Sequence, residues 1–87
     1  MMDIHETSLA ARYLEGQAEA KRAQAEGYER IGMPSEAATF YRAAADDYKA
    51  AAQVYRDNGW QDGLGRLYEA ATDCRESADI ARQGAGK

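Results

Sequence analysis

Chemistry has little to work with in this chain, which holds a single histidine, His5, and a single cysteine, Cys74, among its 87 residues. One thiol closes no internal disulfide, so the sequence does not read as a secreted, disulfide-held scaffold. A lone histidine with no cysteine nearby gives zinc the wrong ligands. No apolar run approaches the ~18 residues that cross a bilayer, and no apolar stretch opens the chain as a secretory leader would. We therefore expect no membrane insertion and a cytoplasmic location. A net charge of -4, with a sequence pI near 4.9, argues against nucleic acid as the main ligand, since neutralising phosphates needs a clustered basic surface. The terminal Gly84-Ala85-Gly86-Lys87 lacks the spacing of a phosphate loop and has no strand before it. Asp46 and Asp47 are adjacent and so point to different sides of a helix, which makes poor acid–base equipment. No nucleophile and base can be assembled from one histidine and one thiol on an apolar stripe. The chain reads as a non-enzyme without cofactor or metal.

Large aliphatic side chains are also scarce, and alanine and tyrosine take their place. From Ser35 to Asn58, Tyr41, Tyr48 and Tyr55 fall seven residues apart, with Ala37, Ala44 and Ala51 at the alternate steps. That 4-3 spacing keeps the six on one side of an α-helix. Ala38, Ala45 and Ala52 repeat at the same interval and widen the apolar arc. A helix apolar over so much of its circumference sits between two neighbours. Tyrosine on alanine lets helices approach closely but buries less area per residue than leucine, so modest stability is expected.

The remaining chain supplies the neighbours. A first helix, about residues 5–31, is capped by the Asp3–Glu6 spacing or by Thr7 or Ser8, with His5 as a surface residue of its first turn. Ala11, Leu14, Ala18, Ala25 and Tyr28 make its core face, and Lys21 lies there with its stem buried and its head in water. Beside them runs a second row: Leu9, Tyr13, Gly16, Ala20, Ala23, Gly27, Ile31. Each interior glycine costs a helix about 1 kcal/mol relative to alanine. Two compensations are open, namely close contact with a neighbouring helix of the same chain or a seam for a partner helix. Gly32 and Pro34 end this helix, and Ser35 and Glu36 start the second, about 35–58. Asn58-Gly59 ends that one. The third, about 60–82, carries Trp60, Leu64, Leu67, Ala71, Cys74, Ala78 and Ala81 on one face, with residues 83–87 as a flexible tail. The expected architecture is all-α, an antiparallel three-helix bundle forming a single domain over 1–87.

The residues carry two family resemblances. Lys21, Ala25, Tyr28, Gly32, Ala37, Tyr41 and Ala44 have the spacing of the tetratricopeptide repeat, and Leu64-Gly65-x-x-Tyr68 resembles the opening of a second repeat. The period from Ala25 to Gly65 is about 40 residues against ~34 in the standard repeat, and Lys49 stands where a repeat-closing proline belongs. A closed three-helix unit suits the length better. The segments GMPSEAATFYRAAADDYKAAAQVY and LGRLYEAATDCRESADIAR are together similar to the MIT (microtubule-interacting and transport) domain, over roughly residues 10 to 82. That resemblance implies a bundle binding short helical or extended peptide motifs in grooves beside its third helix. MIT domains commonly serve AAA ATPases that remodel ESCRT-III-like filaments.

Two candidate surfaces follow. Arg42, Lys49 and Arg56 recur every seven residues as a basic ridge on the second helix, and Tyr68, Thr72, Arg75 and Asp79 form a mixed ridge on the third. A groove between them suits an acidic amphipathic peptide, so the partner is another protein presenting a short linear motif. Alternatively both ridges are solvated flanks, with Arg42–Asp46 and Arg75–Asp79 paired at i,i+4. The second surface is the row Tyr13, Gly16, Ala20, Ala23 and Gly27, which in the alternative reading mates with a second copy as a homodimer. Ile80 points away from the apolar stripe of its helix and hints at an external contact.

Overall fold

The computed structural model describes the backbone of residues 4–85 and the side chains of residues 8–84. Over that span there are three helices and no strand: α1 (Ile4–Arg30), α2 (Pro34–Asp57) and α3 (Leu64–Ala85). They lie antiparallel in a rod 49 Å long and 17 Å across in both short directions. α2 packs closely along both neighbours, while α1 and α3 approach each other far less. The sequence expectation of an all-α three-helix bundle with the second helix in the middle therefore holds. Asp3 and the side chains of His5 and Glu6 lie outside the described residues, and because α1 already runs from Ile4, Thr7 and Ser8 lie within the helix rather than capping it.

Both helix stops are built the same way. The Gly32 N–H donates to the Glu29 carbonyl at 3.1 Å and the Met33 N–H to the Tyr28 carbonyl at 2.8 Å. Twenty-seven residues on, Gly59 donates to Arg56 at 3.2 Å and Trp60 to Tyr55 at 2.9 Å. Gly32 and Gly59 sit at φ 78° and 69°, the left-handed position that lets a helix close on its own last carbonyls at no cost to a Cβ.

Three expectations are corrected by the structure. Trp60 does not open α3. Its N–H completes the stop of α2, and its ring packs edge-on against Tyr55, centroids 5.4 Å apart, the apolar contact that accompanies such a stop. Gly63 then holds φ 86°, with a Tyr55 ring carbon 3.3 Å from where a Cβ would stand, so the helix starts at Leu64. At the head of α2, Ser35 is not the cap. Met33 occupies that position without a side-chain bond, Pro34 is the first helical residue, and Ser35 only offers its carbonyl to the Thr39 hydroxyl. Proline fits there because its missing N–H would have no intrahelical partner anyway. At the other end, α3 continues to Ala85, so residues 83–85 are helical rather than a flexible tail.

The core is alanine with a few larger members. Ala18, Ala44, Ala45, Tyr48, Ala51, Ala52, Leu67, Ala71 and Cys74 form one cluster, and Ala25, Ala37, Ala38, Tyr41, Ala78 and Ala81 a second. Among the described residues the largest side chains essentially sealed from water are Leu67 and Cys74. With so few methylenes buried, each one carries an unusual share of the stability. Leu67→Ala should cost about 2–5 kcal/mol, enough to leave most of the chain unfolded at 37 °C in a urea titration. Gly16→Ala should instead stabilise by about 1 kcal/mol, because a Cβ there meets nothing within 4 Å. The comparison is made at low micromolar concentration, and a destabilised Gly16→Ala there would overturn the open placement of this position.

Candidate functional site

The three tyrosines of α2 project from the middle helix toward α1, and α1 answers with its own seven-residue series. The Tyr41 hydroxyl donates to the Glu29 carboxylate, and the Tyr55 hydroxyl donates to Glu15 Oε2 at 3.1 Å. Between them the Arg22 guanidinium faces the Tyr48 hydroxyl. Arg66 of α3 reaches across to Glu15 Oε1 at 2.8 Å. One turn aside, Lys21 Nζ meets Asp47 at 2.6 Å, so its head is anchored rather than free in water. Of these contacts the Arg66–Glu15 pair spans α1 and α3, which otherwise stand apart, and the rest join α1 to α2. Sequence reasoning missed Glu15, Arg22 and Glu29, although their spacing matches that of Tyr55, Tyr48 and Tyr41. The signal was present, but charged residues in that rhythm read as a solvated flank until the partner helix is in place.

Burial pushes all three tyrosine hydroxyls above their ordinary titration value, aided at Tyr41 by Glu29 and at Tyr55 by Glu15, and opposed at Tyr48 by Arg22. Cys74, 1% exposed, is likewise pushed up by burial, with the nearby Arg22 working against the shift. It is a sealed thiol kept in its protonated form. Among the described residues no three His, Cys, Asp or Glu side chains are grouped to hold a metal ion, and no helix is long and apolar enough to cross a membrane.

Two of the predicted surfaces take definite form. Between α2 and α3 runs a cleft of about 550 Å³ lined by Arg42, Ala45, Asp46, Thr72, Arg75, Glu76, Ala78 and Asp79. It brings together four of the seven residues assigned to a peptide groove: Arg42, Thr72, Arg75 and Asp79. Lys49 and Arg56 are exposed but outside this lining, as is Tyr68, whose carbonyl accepts from the Thr72 hydroxyl at 3.0 Å. Sequence reading left out Asp46 and Glu76. With them the lining has three carboxylates to two guanidiniums, so the surface is of mixed sign rather than basic. The expected i,i+4 pairs Arg42–Asp46 and Arg75–Asp79 are not among the ion pairs of the described residues.

The other surface is the outward side of α1. Leu9, Tyr13 and Ile31 are 51%, 66% and 68% exposed. Gly16, Ala20 and Ala23 between them are exposed too, and Gly27 is half-buried. A Cβ on Gly16 or Gly27 would meet nothing within 4 Å, so neither glycine serves a close contact inside the bundle. That expectation is overturned. The bundle closes on the other side of α1, through Ala11, Ala18 and Ala25, and leaves this row facing solvent. A shallow cleft of about 330 Å³ lies at its end, between Gln24, Gly27, Tyr28 and Ile31. Ile80, on α3, is exposed as expected.

Compared with known proteins, the chain matches no family model, no curated protein and no solved structure.

The tyrosine shifts set a pH dependence. A hydroxyl whose value is raised by folding keeps its proton longer in the native chain than in the unfolded one. Its contribution is complete below the ordinary value of 10.0 and drains away as pH climbs above it. Cys74, with an ordinary value of 9.0, adds the same trend slightly lower. The urea midpoint should hold to about pH 9 and then fall. Tyr41→Phe should flatten that fall, and a midpoint indifferent to alkali would show the hydroxyls are not held as described.

Proposed function

We propose that this chain is a non-catalytic protein-interaction module that docks a short peptide motif of a partner along the cleft between α2 and α3. The observation that carries the reading is the convergence of Arg42 with Thr72, Arg75 and Asp79 on one cleft, from positions the sequence placed on two separate ridges. Neither guanidinium is committed to an ion pair among the described residues, so both are available to a ligand. The apolar floor is shallow, Ala45 and Ala78, and suits small side chains approaching closely. Asp46, Glu76 and Asp79 on the rim favour a ligand that alternates in sign over one that is simply acidic. The resemblance to the MIT domain supports a groove beside the third helix and points to an adaptor role in an AAA ATPase or ESCRT-III-like system.

A second reading is favoured by a different observation. The exposed row on α1 spends two helix-interior glycines and three large apolar side chains on a surface that the bundle itself does not use. Such a row suits a self-assembling helical element.

The peptide reading is tested by selecting 15-residue peptides from a display library on the immobilised chain and measuring their affinity for charge-reversed variants. Arg42→Glu and Arg75→Glu should each weaken the selected peptides tenfold or more, the range of a lost charge pair at ~1.4 kcal/mol per decade. Arg56→Glu, outside the cleft, should leave them unchanged. Peptides indifferent to both cleft reversals would overturn the assignment.

A further inference from the structure

The outward row of α1 has the order of a helix seam. Tyr13, Ala20 and Gly27 recur every seven residues, and Leu9, Gly16 and Ala23 fill the intervening 4-3 steps, the a and d positions of a heptad with tyrosine at a and leucine at d. We infer that this face is occupied by a second copy of the same chain, its α1 antiparallel to the first and related by a two-fold axis that crosses the seam midway between Gly16 and Ala20. The inference rests on the self-assembly reading above and names its partner and register.

Size complementarity selects that arrangement. In an antiparallel seam a and d positions meet in shared layers, which sets Leu9 against Gly27, Tyr13 against Ala23 and Gly16 against Ala20 of the second copy. Each bulky residue thus faces a small one. The cleft between Gln24, Gly27, Tyr28 and Ile31 stands where Leu9 of the second copy would enter. A parallel pair would instead stack Tyr13 on Tyr13 and Gly27 on Gly27, alternating clash and void.

Charge agrees. The residues flanking the row on one side are Arg12, Glu19 and Glu26, all exposed. Antiparallel pairing brings these flanks together, so Arg12 of each copy meets Glu26 of the other, twice per dimer, against one repulsive Glu19–Glu19 meeting at the centre. On the opposite flank Ala10, Gln17 and Gln24 meet one another, and none of them is charged. In a parallel pair each flank would face the other's glutamines, and no opposite charges would meet.

The extent sets the strength. From Leu9 to Gly27 the seam is about 27 Å long at 1.5 Å per residue, and with so much glycine and alanine it falls short of the ~800 Å² per partner of a standard interface. The dimer is accordingly reversible and seen at tens of micromolar or above. Isologous symmetry closes it at two copies.

Sedimentation of the full chain across roughly 5 μM to 1 mM reads the mass directly, with helix content followed in parallel by circular dichroism. The wild type should shift from monomer to dimer. Arg12→Glu and Glu26→Arg should each raise the dissociation constant fivefold or more, and the double exchange Arg12→Glu with Glu26→Arg should return it to within about twofold of wild type. Ala20→Glu should abolish the dimer with helix content intact. A monomer throughout the range overturns the proposal and leaves the row to a foreign helix. A dimer indifferent to Ala20→Glu places the interface elsewhere. A dimer lost in both single exchanges but not restored by the double one overturns the antiparallel register. The peptide cleft lies on α2 and α3, so any of these results leaves the cleft reversals free to succeed or fail by themselves.

Discussion

Three tyrosines have to stand upright on a helix whose other core positions are alanine, and the geometry around them follows from that. A tyrosine ring flanked by alanines on both sides is long enough to reach past its own helix, and its hydroxyl must find a partner once the ring is buried. α1 supplies Glu29 to Tyr41 and Glu15 to Tyr55, with Arg22 near Tyr48 between them, in the same seven-residue rhythm read in the opposite direction. Register between α1 and α2 is thereby fixed by polar tips rather than by interlocking aliphatic side chains. A slip of one turn would leave a ring buried with its hydroxyl facing nothing suitable. Alanine, meanwhile, lets both neighbours come close to α2 while contributing little area of its own.

This mode of construction explains why the surfaces look as they do. A bundle held by one rich helix and two plainer ones has no need for apolar residues on the far side of α1. Yet Leu9, Tyr13 and Ile31 stand there with alanines and glycines between them. Isolated exposed apolar side chains are ordinary, but an ordered row with its own heptad spacing is a second apolar face on one helix. On α3 the contrast is clear. Its outward side is polar apart from Ile80 and Tyr68, and the cleft it shares with α2 is rimmed by charges of both signs. The molecule therefore presents two surfaces of different character, one an apolar row and one a cleft rimmed by charges of both signs.

Free cysteine in such a small core also has a physical place. Cys74 is sealed between α2 and α3 in the central cluster, where its size matches the alanines and burial keeps the thiol protonated. It packs as a small hydrophobe.

Periodicity alone determined the number of helices, the central place of α2 and its buried arc, because an apolar arc that wide is possible only between two neighbours. Glycine chemistry likewise fixed where α1 and α2 end, since only a left-handed residue completes those closures. Other features were decided by tertiary structure. Trp60 carries the apolar spacing of α3, but its backbone closes α2 and Gly63 bars the helix from starting sooner. The glycines of α1 are equally compatible in sequence with a close contact or with open space, and only the position of α2 on the other side of α1 shows them facing solvent. Arg42 and Arg75 could each have been paired four residues along its own helix. Whether a long side chain turns to its neighbour, to a facing helix or into a cleft costs only tenths of a kilocalorie per pair, and so is settled by which surfaces the packed helices bring together.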